Sequence, residues 1–253
     1  MPGRDDFRGR CGIVTGAGSG IGLETARLLC QRGGRIVMAD INLDKIREEE
    51  EKVKKMGGQA LAILADVAKE GDVARLIQAT LSSFGSIDFL VNCAGILRPT
   101  PVLDLEPAEW DEVLSVNLRG PYLCCRAVLS HMVAQKRGVI VNVSSQAGRS
   151  TSRLGGIHYT ASKAGLIGLT RQLALEMGPH GIRVNALCPG GTLTPMVTSL
   201  LTPESMAERS ARIPLRRYST PEEQAMVIAF LLSDESSFIT GASIDSNGGI
   251  YML

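Results

Sequence analysis

Short apolar runs rich in β-branched residues alternate with longer stretches of helical period along the first half of the chain. Residues 11–15 read as strand and 21–31 as helix. Residues 35–39 are strand again, followed by a charged helix over 43–56. The pattern continues with strand 60–64, helix 72–84, strand 87–91 and, after helical patterns over 107–135, strand 139–143. Helix 158–177, strand 183–186, helix 222–232 and strand 242–244 complete it. Strands that alternate with crossover helices predict a parallel sheet covered on both faces. The expected fold class is α/β: one Rossmann-type, doubly wound parallel sheet of about seven strands with helices on both faces. No linker composition interrupts the chain and no repeat is visible, so a single domain over 1–253 is expected. The irregular part is 190–220, rich in Pro, Thr and Ser, with a weak helix near 203–211. A loop that long inside a compact domain is more often functional than idle, and a substrate lid is expected there.

Composition narrows the function classes. The 253 residues are 44% hydrophobic and 21% charged, with a net charge of +1. Basic residues are spread along the chain, which argues against a broad nucleic-acid surface. The longest apolar run, 225–232, is too short to span a bilayer, and MPGRDDFRGR at the start is polar and mixed in charge. A cytoplasmic protein with no membrane or nucleic-acid partner is expected. Six cysteines and three histidines form no C-x-x-C pair or metal-ligand spacing, so buried thiols in a reducing compartment and no metal are expected. Asn142-Val143-Ser144 matches the glycosylation sequon, but it follows an apolar strand and is discounted.

Candidate chemistry begins with IVTGAGSGIG, between the first strand and the first helix. Gly16, Gly20 and Gly22 form G-x-x-x-G-x-G, with Gly18 in addition. Glycine permits a tight turn, and missing side chains let a pyrophosphate reach the N–H groups of a helix start. Asp40 ends the second strand, eighteen residues after Gly22. A carboxylate there accepts hydrogen bonds from ribose hydroxyls and repels a 2′-phosphate. Ile41 and Asn42 follow without an arginine to reward that phosphate, and Ser19 supplies no charge. The reading is NAD rather than NADP.

The stretch GGIHYTASKAGLIGLT places Tyr159 and Lys163 one helical turn apart on one face. A lysine ammonium favours a phenolate and is expected to lower the tyrosine pKa, making Tyr159 a general base for alcohol oxidation and an acid for ketone reduction. Ser145 ends the fifth strand and can donate a hydrogen bond to the reacting oxygen. Ser144 is its rival, which strand alternation turns to the other face. His158 lies about 100° round the helix from Tyr159 and is read as a pocket wall.

With these residues in place, the chain resembles the short-chain dehydrogenase/reductase family along nearly its whole length. The resemblance rests on TGAGSGIG at 15–22, Asp66-Val67, NCAG at 92–95, Asn117, NVSS at 142–145, Tyr159-T-A-S-Lys163, Pro189-Gly190 and ITGASIDSNGG at 239–249. It implies that Asn117, Ser145, Tyr159 and Lys163 act in catalysis, with the Asn117 backbone organising a water relay to the lysine; an ordinary helix position is its alternative. Lys163 is also implied to bond the nicotinamide ribose. For the cofactor it implies contacts from Gly16, Ser19, Gly20, Ile21, Gly22, Asp40 and Ile41. It adds Asp66 at the adenine, Val67, the turn residues Asn92, Ala94 and Gly95, and Pro189, Gly190, Thr192 and Thr194 near the nicotinamide. Cys93 stands where a second asparagine is common in the family, and the 145–159 segment is one residue longer than in many members. A homotetramer is a further implication, to which the apolar run at 121–129 adds a hint.

The expected substrate is a small secondary alcohol or its ketone, of polyol, sugar or hydroxy-acid type. Arg98, Arg149 and Arg153 near one mouth suggest an anion, with solvated loop arginines as the alternative. Gly190 and Gly191 are candidate hinges of the lid, with Met196, Val197, Leu200 and Leu201 as its apolar face. Reduction of 3-oxoacyl groups on an acidic carrier protein is the competing activity, for which Lys136, Arg137 and the region of His180 are the candidate basic residues. A serine hydrolase fails for lack of a G-x-S-x-G elbow. An NAD-sensing scaffold is the non-enzymatic alternative.

Overall fold

The computed structural model describes residues 7–252. The first six residues and Leu253, on which the reading of the N-terminal stretch partly rests, lie outside them. Seven strands form the sheet: β1 (Cys11–Thr15), β2 (Arg35–Asp40), β3 (Gln59–Leu64), β4 (Phe89–Asn92), β5 (Gly138–Val143), β6 (Ile182–Pro189) and β7 (Ser243–Ser246). All pair in parallel, in the order β3-β2-β1-β4-β5-β6-β7. The order reverses between β1 and β4, which opens a crevice at the carboxyl ends of the strands. Among the described residues, nine helices connect and cover the sheet: α1 (Gly20–Gln31), α2 (Leu43–Lys55), α3 (Glu70–Phe84), α4 (Pro107–Leu114), α5 (Gly120–Gln135), α6 (Ile157–Met177), α7 (Pro195–Thr198), α8 (Pro203–Ser210) and α9 (Pro221–Leu232).

Alternation along the strands builds two cores from one sheet. Val14, Ile36, Met38, Val91 and Val141 join Leu29 of α1 and Ile228 and Leu231 of α9 on one face. Their chain neighbours Ile13, Val37, Leu90 and Ile140 face the other way, against Leu76 of α3 and Val128 and Met132 of α5. Because the central strands β1, β2, β4 and β5 are buried on both sides, their sequences read as nearly continuous apolar runs. The run at 225–232 forms most of α9, and no helix among the described residues is long and apolar enough to cross a membrane. All six cysteines are free thiols, five of them buried.

Two local features depart from the simple helical pattern. Helices α4 and α5 are joined by a wider, π-type turn over Ser115–Arg119. Such single turns bulge a helix and change the direction of its side chains, which simple periodicity does not register. The 190–220 segment carries α7 and α8 and is tied at its root. Thr192 bridges to Ser219, their hydroxyls lie 2.9 Å apart, and the Ser219 amide donates to the Gly191 carbonyl at 2.9 Å.

Candidate active site

One cleft of about 640 Å³ runs along the carboxyl ends of the strands and is lined by residues that follow β1 to β6. Its first wall is the glycine turn. Gly16 adopts φ +67°, and a Cβ there would stand 2.8 Å from the backbone of Ala94. A Cβ on Gly22 would meet the Gly16 carbonyl oxygen at 2.2 Å. Only glycine lets this turn close at the start of α1, where the first amides of the helix remain to bind an anion. Ser19, Gly20 and Ile21 line the same wall, and Thr194 packs over Gly20.

Asp40 is held at the end of β2 with its carboxylate in the cleft. One oxygen accepts from the Gly18 amide at 2.9 Å and the other from the Asn42 amide at 2.9 Å. Ile41, Asp66 and Val67 continue the wall. Asp66 accepts from the Ala68 amide at 3.0 Å and lies 3.3 Å from the Lys69 ammonium. The turn after β4 is fastened to β1, where the Thr15 hydroxyl accepts from the amides of Cys93 (3.1 Å) and Ala94 (3.2 Å). Ala94 and Gly95 line the cleft, as does Cys93. Burial pushes the Cys93 thiol up to about 12, so it is not a thiolate at neutral pH.

Asn92 does not line the cleft. Its side chain is buried and donates to Asn142 Oδ1 at 2.8 Å, and Asn142 donates in turn to Thr170 at 2.9 Å. This buried amide chain ties β4 and β5 to α6, and it leaves the sequon asparagine fully enclosed.

Across the cleft, Tyr159 and Lys163 lie side by side on α6, both buried. The Lys163 ammonium donates to the Val143 carbonyl at 2.9 Å and sits 5.8 Å from the centre of the Tyr159 ring. Burial lowers the Lys163 pKa to about 8. Burial also raises the Tyr159 pKa, and the Ser145 side chain works against that rise. The expectation that the lysine lowers the tyrosine pKa therefore needs correction for the protein alone. Enclosing a phenolate costs more than its neighbours return, because the lysine spends a hydrogen bond on Val143 and is itself desolvated.

Ser145 lines the cleft, and its hydroxyl accepts from the Ala147 amide at 3.1 Å. Ser144 turns the other way, donating to the Lys163 carbonyl at 2.8 Å, as strand alternation requires. Asn117 lies in the π-type turn, fully buried. Its side chain accepts from the Ile96 amide (2.8 Å) and donates to the Ile96 carbonyl (2.9 Å) and to Ser162 (3.2 Å). Ser162 donates to the Tyr159 carbonyl at 2.8 Å, so Asn117 braces the β4 turn against α6.

The predicted substrate residues separate. Arg98 lines the cleft; Arg153 is exposed and does not. Arg149 is drawn to the C-terminal stretch, 3.2 Å from the Asp245 carboxylate and over the Tyr251 ring. His158 is a correction too: it is fully buried between α6 and α4, its Nε2 3.1 Å from a carboxylate oxygen of Glu109, and it forms no wall of the cleft. Gly190 and Gly191, the candidate hinges, are both closely packed. A Cβ on the first would meet the Asn247 backbone at 2.7 Å, and one on the second the Tyr218 ring at 2.5 Å. Pro189, Gly190, Thr192 and Thr194 line the cleft, together with Met196 and Val197 of α7. Glu112, Ser115 and Val116 also line it, beyond the residues to which the sequence points. The sequence signal for Glu112 and Val116 was their one-turn spacing.

A glycine turn, a strand-end carboxylate and a tyrosine–lysine helix on one doubly wound sheet define a short-chain dehydrogenase/reductase. The chain belongs to that family: the family model described as enoyl-(acyl carrier protein) reductase matches residues 16–251. It is similar to the 3-oxoacyl-[acyl-carrier-protein] reductase of Thermotoga maritima, 38% identical over 96% of this chain and 98% of the relative. It is also similar to the cis-4-hydroxycyclohexanecarboxylate dehydrogenase of Sinomonas cyclohexanicum, 41% identical over 96% of this chain and 97% of that protein. Among solved structures, a 3-oxoacyl-[acyl-carrier protein] reductase with bound NAD from Brucella melitensis superposes with a TM-score of 0.93. It is 37% identical, over 100% of this chain and 95% of the other. The protein is an oxidoreductase.

Proposed function

We propose that the protein is an NAD-dependent dehydrogenase of small polar secondary alcohols, with Tyr159 as general acid and base. The observation that carries this is the single cleft shared by the glycine turn, Asp40, Ser145, Tyr159 and Lys163. The cradle suits a dinucleotide, because Gly16 and Gly22 leave backbone where any Cβ would intrude. Gly16, Ser19, Gly20, Ile21 and Gly22 would hold the pyrophosphate, with Asp40 and Ile41 at the adenosine ribose and Asp66 and Val67 at the adenine. Ala94, Gly95, Pro189, Gly190, Thr192 and Thr194 would hold the nicotinamide half. Held by these residues, a nicotinamide would supply the acceptor for the hydride that leaves the carbinol carbon.

The protein's own residues handle the proton. Ser145 donates a hydrogen bond to the alcohol oxygen, and Tyr159 as phenolate takes the hydroxyl proton. Lys163 stands beside Tyr159 as an ammonium below about pH 8 and favours the phenolate while charged. In reduction the same tyrosine returns the proton. Asp40 makes NAD the preferred cofactor, since a 2′-phosphate there would face its carboxylate. The test is a panel of secondary alcohols, polyols and hydroxy acids, including 4-hydroxycyclohexanecarboxylate, assayed with NAD and with NADP. Turnover of none of them, or a general preference for NADP, overturns the reading.

The second reading, reduction of 3-oxoacyl groups on a carrier protein, is supported by the names of close relatives. Against it, Lys136 and Arg137 directly precede β5, at the end of the sheet opposite the cleft, and Arg137 is held by Asp88 at 2.9 Å. NADPH-dependent reduction of 3-oxoacyl thioesters in preference to any alcohol would favour it. We further propose a cytoplasmic homotetramer, supported by family resemblance; light scattering that shows a monomer at micromolar concentration overturns it.

A further inference from the structure

Five charged residues line the cleft. Asp40 ends β2 and Asp66 follows β3, on the proposed ribose and adenine side, and Lys163 is buried against Val143. That leaves Arg98 and Glu112. Their side chains are 42% and 50% exposed, and Nη2 of the arginine lies 3.2 Å from Oε1 of the glutamate. Arg98 also donates weakly to the neighbouring Leu97 carbonyl, at 3.4 Å. Most of its N–H donors remain open to another acceptor.

The pair sits at the alcohol end of the cleft. The Arg98 carbonyl accepts from the Gly156 amide at 2.8 Å, which ties its loop to the turn that leads into α6. Gly155, in that turn, packs against the Tyr159 ring so closely that a Cβ would lie 2.6 Å from it. Arg98 and Tyr159 are thus fixed on the two sides of one short turn. A guanidinium held there matches a carboxylate by paired hydrogen bonds. An exposed ion pair such as Arg98–Glu112 contributes little to stability, so an incoming anion displaces Glu112 at small cost.

We propose that the substrate is a secondary alcohol that carries an anionic group, a hydroxy acid above all. Arg98 receives that group, and Glu112 competes for Arg98 and weakens the binding of anions. This rests on the dehydrogenase reading above.

The test compares carboxylate alcohols with their carboxamides, 4-hydroxycyclohexanecarboxylate and short linear hydroxy acids among them. The readout is the ratio of kcat/KM for acid over amide. Arg98→Ala should lower that ratio about 10- to 100-fold, the range of a lost charge-assisted pair. Arg98→Lys, which keeps the charge but loses the fork, should fall between. Glu112→Gln should move the ratio the opposite way, raising it about 1.5- to 5-fold. If the wild type oxidises both members of a pair and none of the three variants moves the ratio, the anion proposal alone is overturned. If the wild type oxidises no member of any pair with either cofactor, the dehydrogenase reading falls and takes this proposal with it.

Discussion

The two halves of the cleft are built by different means. The side proposed for the nucleotide is made almost entirely of backbone, the side proposed for the alcohol of side chains: the first has glycines that admit no Cβ, helix-start amides, and one carboxylate clamped by two amides. On the alcohol side, side chains arrive from separate places, Ser145 after β5, Tyr159 and Lys163 on α6, Arg98 after β4 and Met196 on α7. A backbone cradle is rigid and tolerates little substitution. A wall of converging side chains can be changed one residue at a time, which is how one scaffold serves many substrates. Mutations on the two sides should therefore fail differently.

The largest expected effect is on the alcohol side. Tyr159→Phe should cut kcat by about 10²–10⁴-fold and leave NADH binding, followed by fluorescence, within a few-fold of wild type. Retention of most turnover would remove Tyr159 from the chemistry.

Lys163→Met should sharpen the division, because Lys163 touches both sides. Turnover and NADH affinity should both fall. The wild-type protein should bind NADH less well as pH rises through about 8, the point at which the ammonium is lost, and the variant should show no such break. The same shift has a stability consequence of opposite sign. The folded value lies below the ordinary 10.5, so the unfolded chain binds more protons between them and stability from this group rises with pH over that window. Removing the buried charge should stabilise the cofactor-free protein at pH 7 by about 1–3 kcal/mol. A variant less stable than wild type would contradict the buried-charge account.

On the nucleotide side, Gly22→Ala should cost about 1–3 kcal/mol of stability, from overpacking against the Gly16 carbonyl, and weaken NADH binding. An unchanged NADH affinity would show that the turn is not the pyrophosphate cradle. Asp40→Ala is the mildest change. It should narrow the preference for NAD over NADP about 10-fold, without loss of fold.

The same contrast explains what the sequence disclosed. The strands were legible because parallel strands buried on both faces are continuous apolar runs, and six of the seven bounds moved by no more than two residues. The strand predicted over 183–186 extends to Pro189: Leu187 and Cys188 continue it as fully buried residues, and Pro189 at its end lines the cleft. The glycine turn and Asp40 were legible because backbone constraints leave fixed spacings. Arg149, Arg153 and His158 looked alike on the page, yet the first is drawn to Asp245, the second is exposed beside the cleft and the third is buried against Glu109. Nothing local separates them, since the partners of Arg149 and His158 come from distant elements. Ser115 was hidden because the π-type turn departs from the plain helical count, and Glu112, on α4 itself, has the sequence of an ordinary exposed helix position.

The central claim is that this cleft moves a hydride from a carbinol carbon to NAD. Its most direct test gives the wild-type protein NAD and a secondary alcohol deuterated at that carbon, and measures the mass of the NADH produced. The account predicts NADH that carries the deuterium, formed faster with NAD than NADPH forms with NADP, and almost none from Tyr159→Phe. NADH without deuterium, or no reduced cofactor from any alcohol of the panel, would contradict it.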